Sequence, residues 1–171
     1  PTFLFVNANG EVVHRTGSRM PVEEFLEEGK KATDPKRTLT YLTKKYEDGT
    51  RDIQFLFDYY KAVSKSERSK ADKVASDIVN DITNEQLNTA LGWHVVNTLS
   101  RNENDKLGAY FMAHQDAFNN WTKEEDRDPL KDRLITNTMY GLMRENNDQA
   151  FMDKLVFFKK SEKLDRRKQG V

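Results

Sequence analysis

The first fifteen residues constrain this chain more than any other stretch. Thr2-Phe3-Leu4-Phe5-Val6 is a run of β-branched, aromatic and aliphatic residues without polar alternation, which predicts a strand covered on both faces. Asn7-Ala8-Asn9-Gly10 predicts a type I turn with Asn at its first position and Gly at its fourth, and Glu11 to Arg15 returns as a second strand. A lone hairpin is marginal in water, and its outer edge is a row of unpaired backbone groups. The stretch therefore predicts cover: a second copy of the hairpin, a swapped element, or shielding by the rest of the chain.

Everything downstream reads as helix. Pro21 opens a helix with Glu23 and Glu24 in its first turn, Val22, Phe25 and Leu26 as its apolar stripe, and Lys30 and Lys31 at its end. Asp34-Pro35 predicts a cap that restarts a helix at once, with Leu39, Leu42 and Tyr46 on one face and Gly49 as the stop. Ile53, Leu56, Phe57 and Tyr60 line the next helix. Ala71, Val74, Ala75, Ile78, Val79 and Ile82 form the cleanest amphipathic stripe. Thr83 with Gln86 predicts a capping box opening a helix through Leu87, Leu91, Val95 and Leu99. Leu107, Tyr110, Phe111, His114, Phe118 and Trp121 predict another, Asp128-Pro129 a further start, and Phe151, Leu155 and Phe158 the last. Phe55, Tyr59 and Trp93 fall off the main stripes and are expected to cover neighbouring helices. The Asp52-to-Ile82 pair resembles a tetratricopeptide hairpin, whereas later pairs share no consensus, so the expectation is an irregular array of about seven helices.

Composition narrows the chemistry. Twenty-eight basic residues balance 28 acidic ones, which excludes the one-sided field of a nucleic-acid binder. With no cysteine, the chain holds no disulfide, thiolate nucleophile or zinc-thiolate site. No apolar run approaches the ~20 residues of a membrane span. The chain opens on Pro1 without an initiator Met, and the expectation is a processed or cut start with room for a targeting segment before it.

Pro1-Thr2-Phe3-Leu4-Phe5, the turn, Gly10-Glu11-Val12-Val13, Arg15-Thr16-Gly17 and Glu23-Glu24-Phe25-Leu26 together resemble the last third of a thioredoxin fold. The resemblance puts Pro1 and Thr2 at the cis-proline substrate-binding loop, Phe3 to Val6 on the fourth strand, Glu11 to Arg15 on the fifth and Pro21 to Lys31 on the closing helix. It covers about the first 33 residues. From Asp34 onward the chain is similar in texture to the helical extension behind the thioredoxin domain of some bacterial envelope proteins. The resemblance implies residues 1–33 as the C-terminal part of a thioredoxin-like domain, 34–171 as a helical extension, and a periplasmic or envelope location. It implies dithiol–disulfide exchange on protein thiols by a Cys-x-x-Cys in a half that this chain lacks. The fold class expected is mainly α: a hairpin plus helix, then a tetratricopeptide-like array. Two functions stay open: the C-terminal part of a thiol–disulfide oxidoreductase whose helical part binds partners, or a non-enzymatic helical adaptor with a degenerate thioredoxin-like portion. A homodimer through the hairpin is a further expectation.

No other residues nominate themselves for catalysis, a cofactor or a metal. His114 on its apolar stripe predicts a hydrogen-bonded core residue, and neither His94 nor His14 has metal-ligand spacing. Glu124-Glu125-Asp126-Arg127-Asp128 lacks the glycine turn of a calcium loop and predicts a solvated linker ending in a capping Asp128. The tail from Lys159 to Lys168 predicts a frayed, solvent-facing helix end.

Overall fold

The computed structural model describes residues 1–17 and 19–159; the basic tail beyond Lys159 lies outside them. The chain is mainly helical, with one antiparallel hairpin at its N-terminus, as its residue patterns predict. Its contacts divide it into two compact units, residues 1–84 and 85–171. The division after residue 33 expected above rests on family likeness, whereas this one rests on packing.

In the first unit, β1 (Thr2–Val6) pairs with β2 (Val12–Gly17), with Phe3 opposite Thr16 and Phe5 opposite His14. The turn closes through Gly10 N–H donating to Asn7 O at 3.0 Å. The Asn7 side-chain oxygen also accepts from the amides of Asn9 and Glu11, each at 3.0 Å. Gly10 sits at φ +81°, a conformation that L side chains rarely adopt, and the register slips between Phe5 and Val6. Helix α1 (Val22–Thr33) covers one face of the hairpin, with the Phe25 ring 5.1 Å from Phe3 and 6.1 Å from Phe5.

The other face of the hairpin departs from expectation. Leu4 and Val6 are 56% and 59% exposed, and the sheet among the described residues is two-stranded, so β1 is covered on one face only. On α1, Val22 and Leu26 of the expected apolar stripe are exposed, and the buried residue is Glu28. Pro21 is the cap of α1 and not its first residue. The physical reason is that one helix shields one side of a hairpin, while the next helix engages β2. The Leu39 amide donates to His14, and the Thr40 hydroxyl donates to the carbonyls of Val12 and Val13.

Asp34-Pro35 does not restart a helix at once. The Asp34 side chain accepts from Lys36 N–H at 2.9 Å, a side-chain turn that carries the chain to Thr38. Thr38 caps α2 (Leu39–Glu47) through Tyr41 N–H, and Gly49 at φ +93° ends the segment as predicted. Asp52 caps α3 (Ile53–Val63), which packs antiparallel to α4 (Arg68–Asp81). Leu56, Val63, Val74 and Ile78 are fully buried there, with Ala71 and Ala75 as small contact residues. The off-stripe Tyr59 is fully buried and reaches α2, its ring 5.0 Å from Tyr46 and its hydroxyl bonded to Thr43.

The helix expected from Thr83 onward is broken. A short α5 (Asn84–Leu87) stops, and α6 (Ala90–Leu99) starts afresh with Thr89 accepting from Gly92 N–H. The chain folds so closely on itself that a Cβ on Gly92 would lie 2.1 Å from the Leu87 carbonyl oxygen. Only glycine permits that approach. The next stripe also divides, into α7 (Lys106–Ala113) and a 3₁₀ segment, Gln115–Asn120. His114 is therefore an exposed helix end stacked on Tyr110, not a core residue. Helix α8 (Glu124–Arg144) begins four residues ahead of the predicted Asp128 cap and carries Pro129 inside it. The acidic stretch is thus its first turn, where carboxylates face the positive end of the helix dipole. A last helix, α9 (Asp148–Lys159), contacts α8. Trp93, Phe111 and Phe118 pack their rings 5.7–6.3 Å apart in the core of this unit.

Candidate functional site

The hairpin with α1 is the best-defined candidate, and a buried polar network holds it rigid. His14 projects from β2, 2% exposed, between α1 and the start of α2. Its Nδ1 accepts the Leu39 amide at 3.1 Å, so the ring proton sits on Nε2 and is donated to Glu28 Oε2 at 2.9 Å. The other Glu28 oxygen accepts from Lys31 at 2.7 Å and Lys65 at 2.9 Å, and Lys65 also bonds Glu24 at 2.7 Å. Burial pushes the Glu28 carboxyl up, but the hydrogen bonds from Lys31, Lys65 and His14 outweigh it and hold the group at about 2. Glu28 lies on α1, Lys65 comes just after α3, and a Cβ on Gly17 would lie 2.2 Å from the Lys65 carbonyl oxygen. The network thus ties β2, α1, α2 and the α3–α4 connection into one block.

That block leaves two apolar surfaces open. On α1, Val22 and Leu26 are each more than half exposed; on the hairpin face that α1 does not cover, so are Leu4 and Val6, and the outer edge of β1 carries no strand among the described residues. Beside it lies a cleft of about 780 Å³ whose walls include Leu4, Val6, Val13, Ala32, Pro35 and Tyr41. Pro1 and Thr2, the substrate-loop residues implied by resemblance, stand exposed at the start of β1, with Thr2 opposite Gly17. There are no cis peptide bonds among the described residues. The face offers backbone pairing and apolar contact. It offers no thiol, since the chain has no cysteine, and the described residues hold no cluster of metal-ligating side chains.

The Glu28–His14 network was not legible in the sequence, since Glu28 stands in a charged helix and His14 in a short strand. Their fourteen-residue separation matches no metal or catalytic spacing. No helix among the described residues is long and apolar enough to cross a membrane. Comparison with protein-family models, with curated proteins and with solved structures finds no match to this chain.

Proposed function

We propose that this chain is the C-terminal part of a thioredoxin-like thiol–disulfide oxidoreductase, whose redox half packs on the uncovered face and edge of the hairpin and on the exposed side of α1. The observation that carries the reading is that Leu4 and Val6, on the face of the hairpin that α1 leaves uncovered, stand exposed, as do Val22 and Leu26 on α1 itself. In the thioredoxin arrangement these are the positions that further strands and helices cover, and β1's outer edge is where the next strand pairs. These side chains are between 56% and 70% exposed, so burying the rest would contribute on the order of 4–7 kcal/mol before ordering costs. The chemistry lies in the redox half: one cysteine thiolate attacks a substrate disulfide sulfur and releases one substrate thiolate, then the second cysteine thiolate attacks the mixed disulfide, releases the other substrate thiol and closes the Cys-x-x-Cys disulfide, so the substrate is reduced and the dithiol oxidised. Pro1 and Thr2 would line the substrate side, the His14–Glu28 network would keep the platform rigid, and the helices beyond it would engage partners. The location in keeping with this reading is the bacterial periplasm or envelope.

The test is to read the coding sequence upstream of Pro1 and express the longest form it encodes. A Cys-x-x-Cys roughly 45–60 residues ahead of Pro1, with disulfide-reductase activity that the present chain lacks, supports the proposal. An upstream segment without a cysteine pair overturns it and leaves the helical-adaptor reading.

A further inference from the structure

The second unit contains a cleft of about 890 Å³ bounded by α6, the end of the 3₁₀ segment and the start of α8. Its walls include Trp93, Trp121, His94, Asn97, Asn119 and Arg127. From these residues we propose that the cleft is a binding site for a neutral oligosaccharide, a function separate from the thiol chemistry proposed above and independent of it.

The argument starts with the aromatic residues. Trp121 is 45% exposed and makes no ring contact with another described aromatic, whereas Trp93 is nine-tenths buried and anchored on Phe111 and Phe118. An indole face carries negative quadrupolar charge, and one face of a pyranose ring presents a patch of C–H groups with the opposite polarity. An exposed tryptophan over a polar cleft is thus suited to a ring that is apolar on its faces and hydroxylated at its rim.

The polar lining supplies the rim contacts. The side chains of His94, Asn97 and Asn119 bond no other described residue, so planar donors and acceptors remain available for hydroxyl groups. Arg127 is only 8% exposed, yet its guanidinium makes a single hydrogen bond among the described residues, to the Thr122 carbonyl at 3.3 Å. Its other N–H groups are not buried away from solvent but open at the cleft that the residue lines, where oxygen acceptors can meet them.

Charge then selects among ligands. Lys123 and Arg127 share the cleft with Glu124 and Asp126, so it has no cationic field for a phosphate or a nucleic-acid strand. An apolar ligand would strip water from the amides and the guanidinium without replacing it. A neutral polyhydroxylated ring satisfies both conditions, and the volume falls in the range of small-molecule clefts.

Both tryptophans of the chain line this cleft, so intrinsic fluorescence reports on it directly. The experiment titrates the full chain with cellotetraose, maltotetraose and chitotetraose up to about 10 mM, beyond saturation for a sub-millimolar site. We expect a saturable fluorescence change with at least one of them. Trp121→Ala and Asn119→Ala alter exposed side chains and should keep the far-UV circular dichroism and melting temperature of the parent. Calorimetry on Trp121→Ala should then show affinity down about tenfold or more. Absence of a saturable response to all three sugars overturns the proposal. So does undiminished affinity in Trp121→Ala, or a response confined to an anionic probe such as tetragalacturonate.

Discussion

Glu28 makes the sharpest quantitative prediction. Its carboxyl is held at about 2 against an ordinary 4.5, with burial opposing the shift and the bonds from Lys31, Lys65 and His14 producing it. Because the folded value lies below the unfolded one, the group stabilises the fold above pH 4.5 and loses that contribution as pH falls toward 2. A difference of roughly 2.5 pKa units corresponds to about 3 kcal/mol. The side chain is only 3% exposed, so solvent screening takes little from that figure. Glu28→Gln keeps the shape, removes the charge, and leaves Lys31, Lys65 and the His14 Nε2–H facing a weaker acceptor. Urea unfolding followed by far-UV circular dichroism should show Glu28→Gln less stable than the parent by about 3 kcal/mol at pH 7. The gap should close as pH is lowered from about 5 toward 2, because the parent then loses what the variant never had. Tryptophan fluorescence is the built-in control: both tryptophans lie in the second unit, whereas Glu28 lies in the first. Equal stability at pH 7, or a gap that stays constant down to pH 2, would refute the assignment of the network as a net stabiliser.

Other parts of the fold give three further expected outcomes. Gly92→Ala should lower stability by about 3 kcal/mol or prevent folding of the second unit, measured by the tryptophan emission beside it, because the new Cβ meets backbone oxygens of Gln86 and Leu87. Asp52→Ala removes the oxygen that accepts the Phe55 amide and should cost about 1 kcal/mol in urea unfolding monitored by circular dichroism. Leu4→Lys should change stability by less than about 0.5 kcal/mol in this chain, since the side chain is exposed. In a longer form carrying the proposed redox half the same change should cost about 2 kcal/mol or more in thermal or urea unfolding, and equal small effects in both forms would count against the proposed packing.

The local chemistry of the sequence determined a good deal by itself. The Asn7-to-Gly10 turn, the Gly49 stop and the α3–α4 stripe all formed as predicted, because each depends on residues within one or two turns of one another. Periodicity also found the helices of the second unit, but it could not see where they break. The chain turns between α5 and α6, with the Gly92 backbone close to the Leu87 carbonyl and Thr89 capping the restart, and Pro129 sits inside α8 instead of opening it. What only the tertiary structure decided is which surfaces meet. An apolar run such as Thr2 to Val6 states that burial would be favourable, not that a partner is present, and the described residues cover one side of it. In the same way Glu28 reads as one more solvated carboxylate until the fold brings His14, Lys31 and Lys65 around it. Trp93 and Trp121 are twenty-eight positions apart, and their shared cleft forms only when α6 packs beside the start of α8. Hydrophobic spacing encodes a preference for burial along one element, whereas a site is a coincidence of several elements in space, set by packing between residues that no local pattern connects.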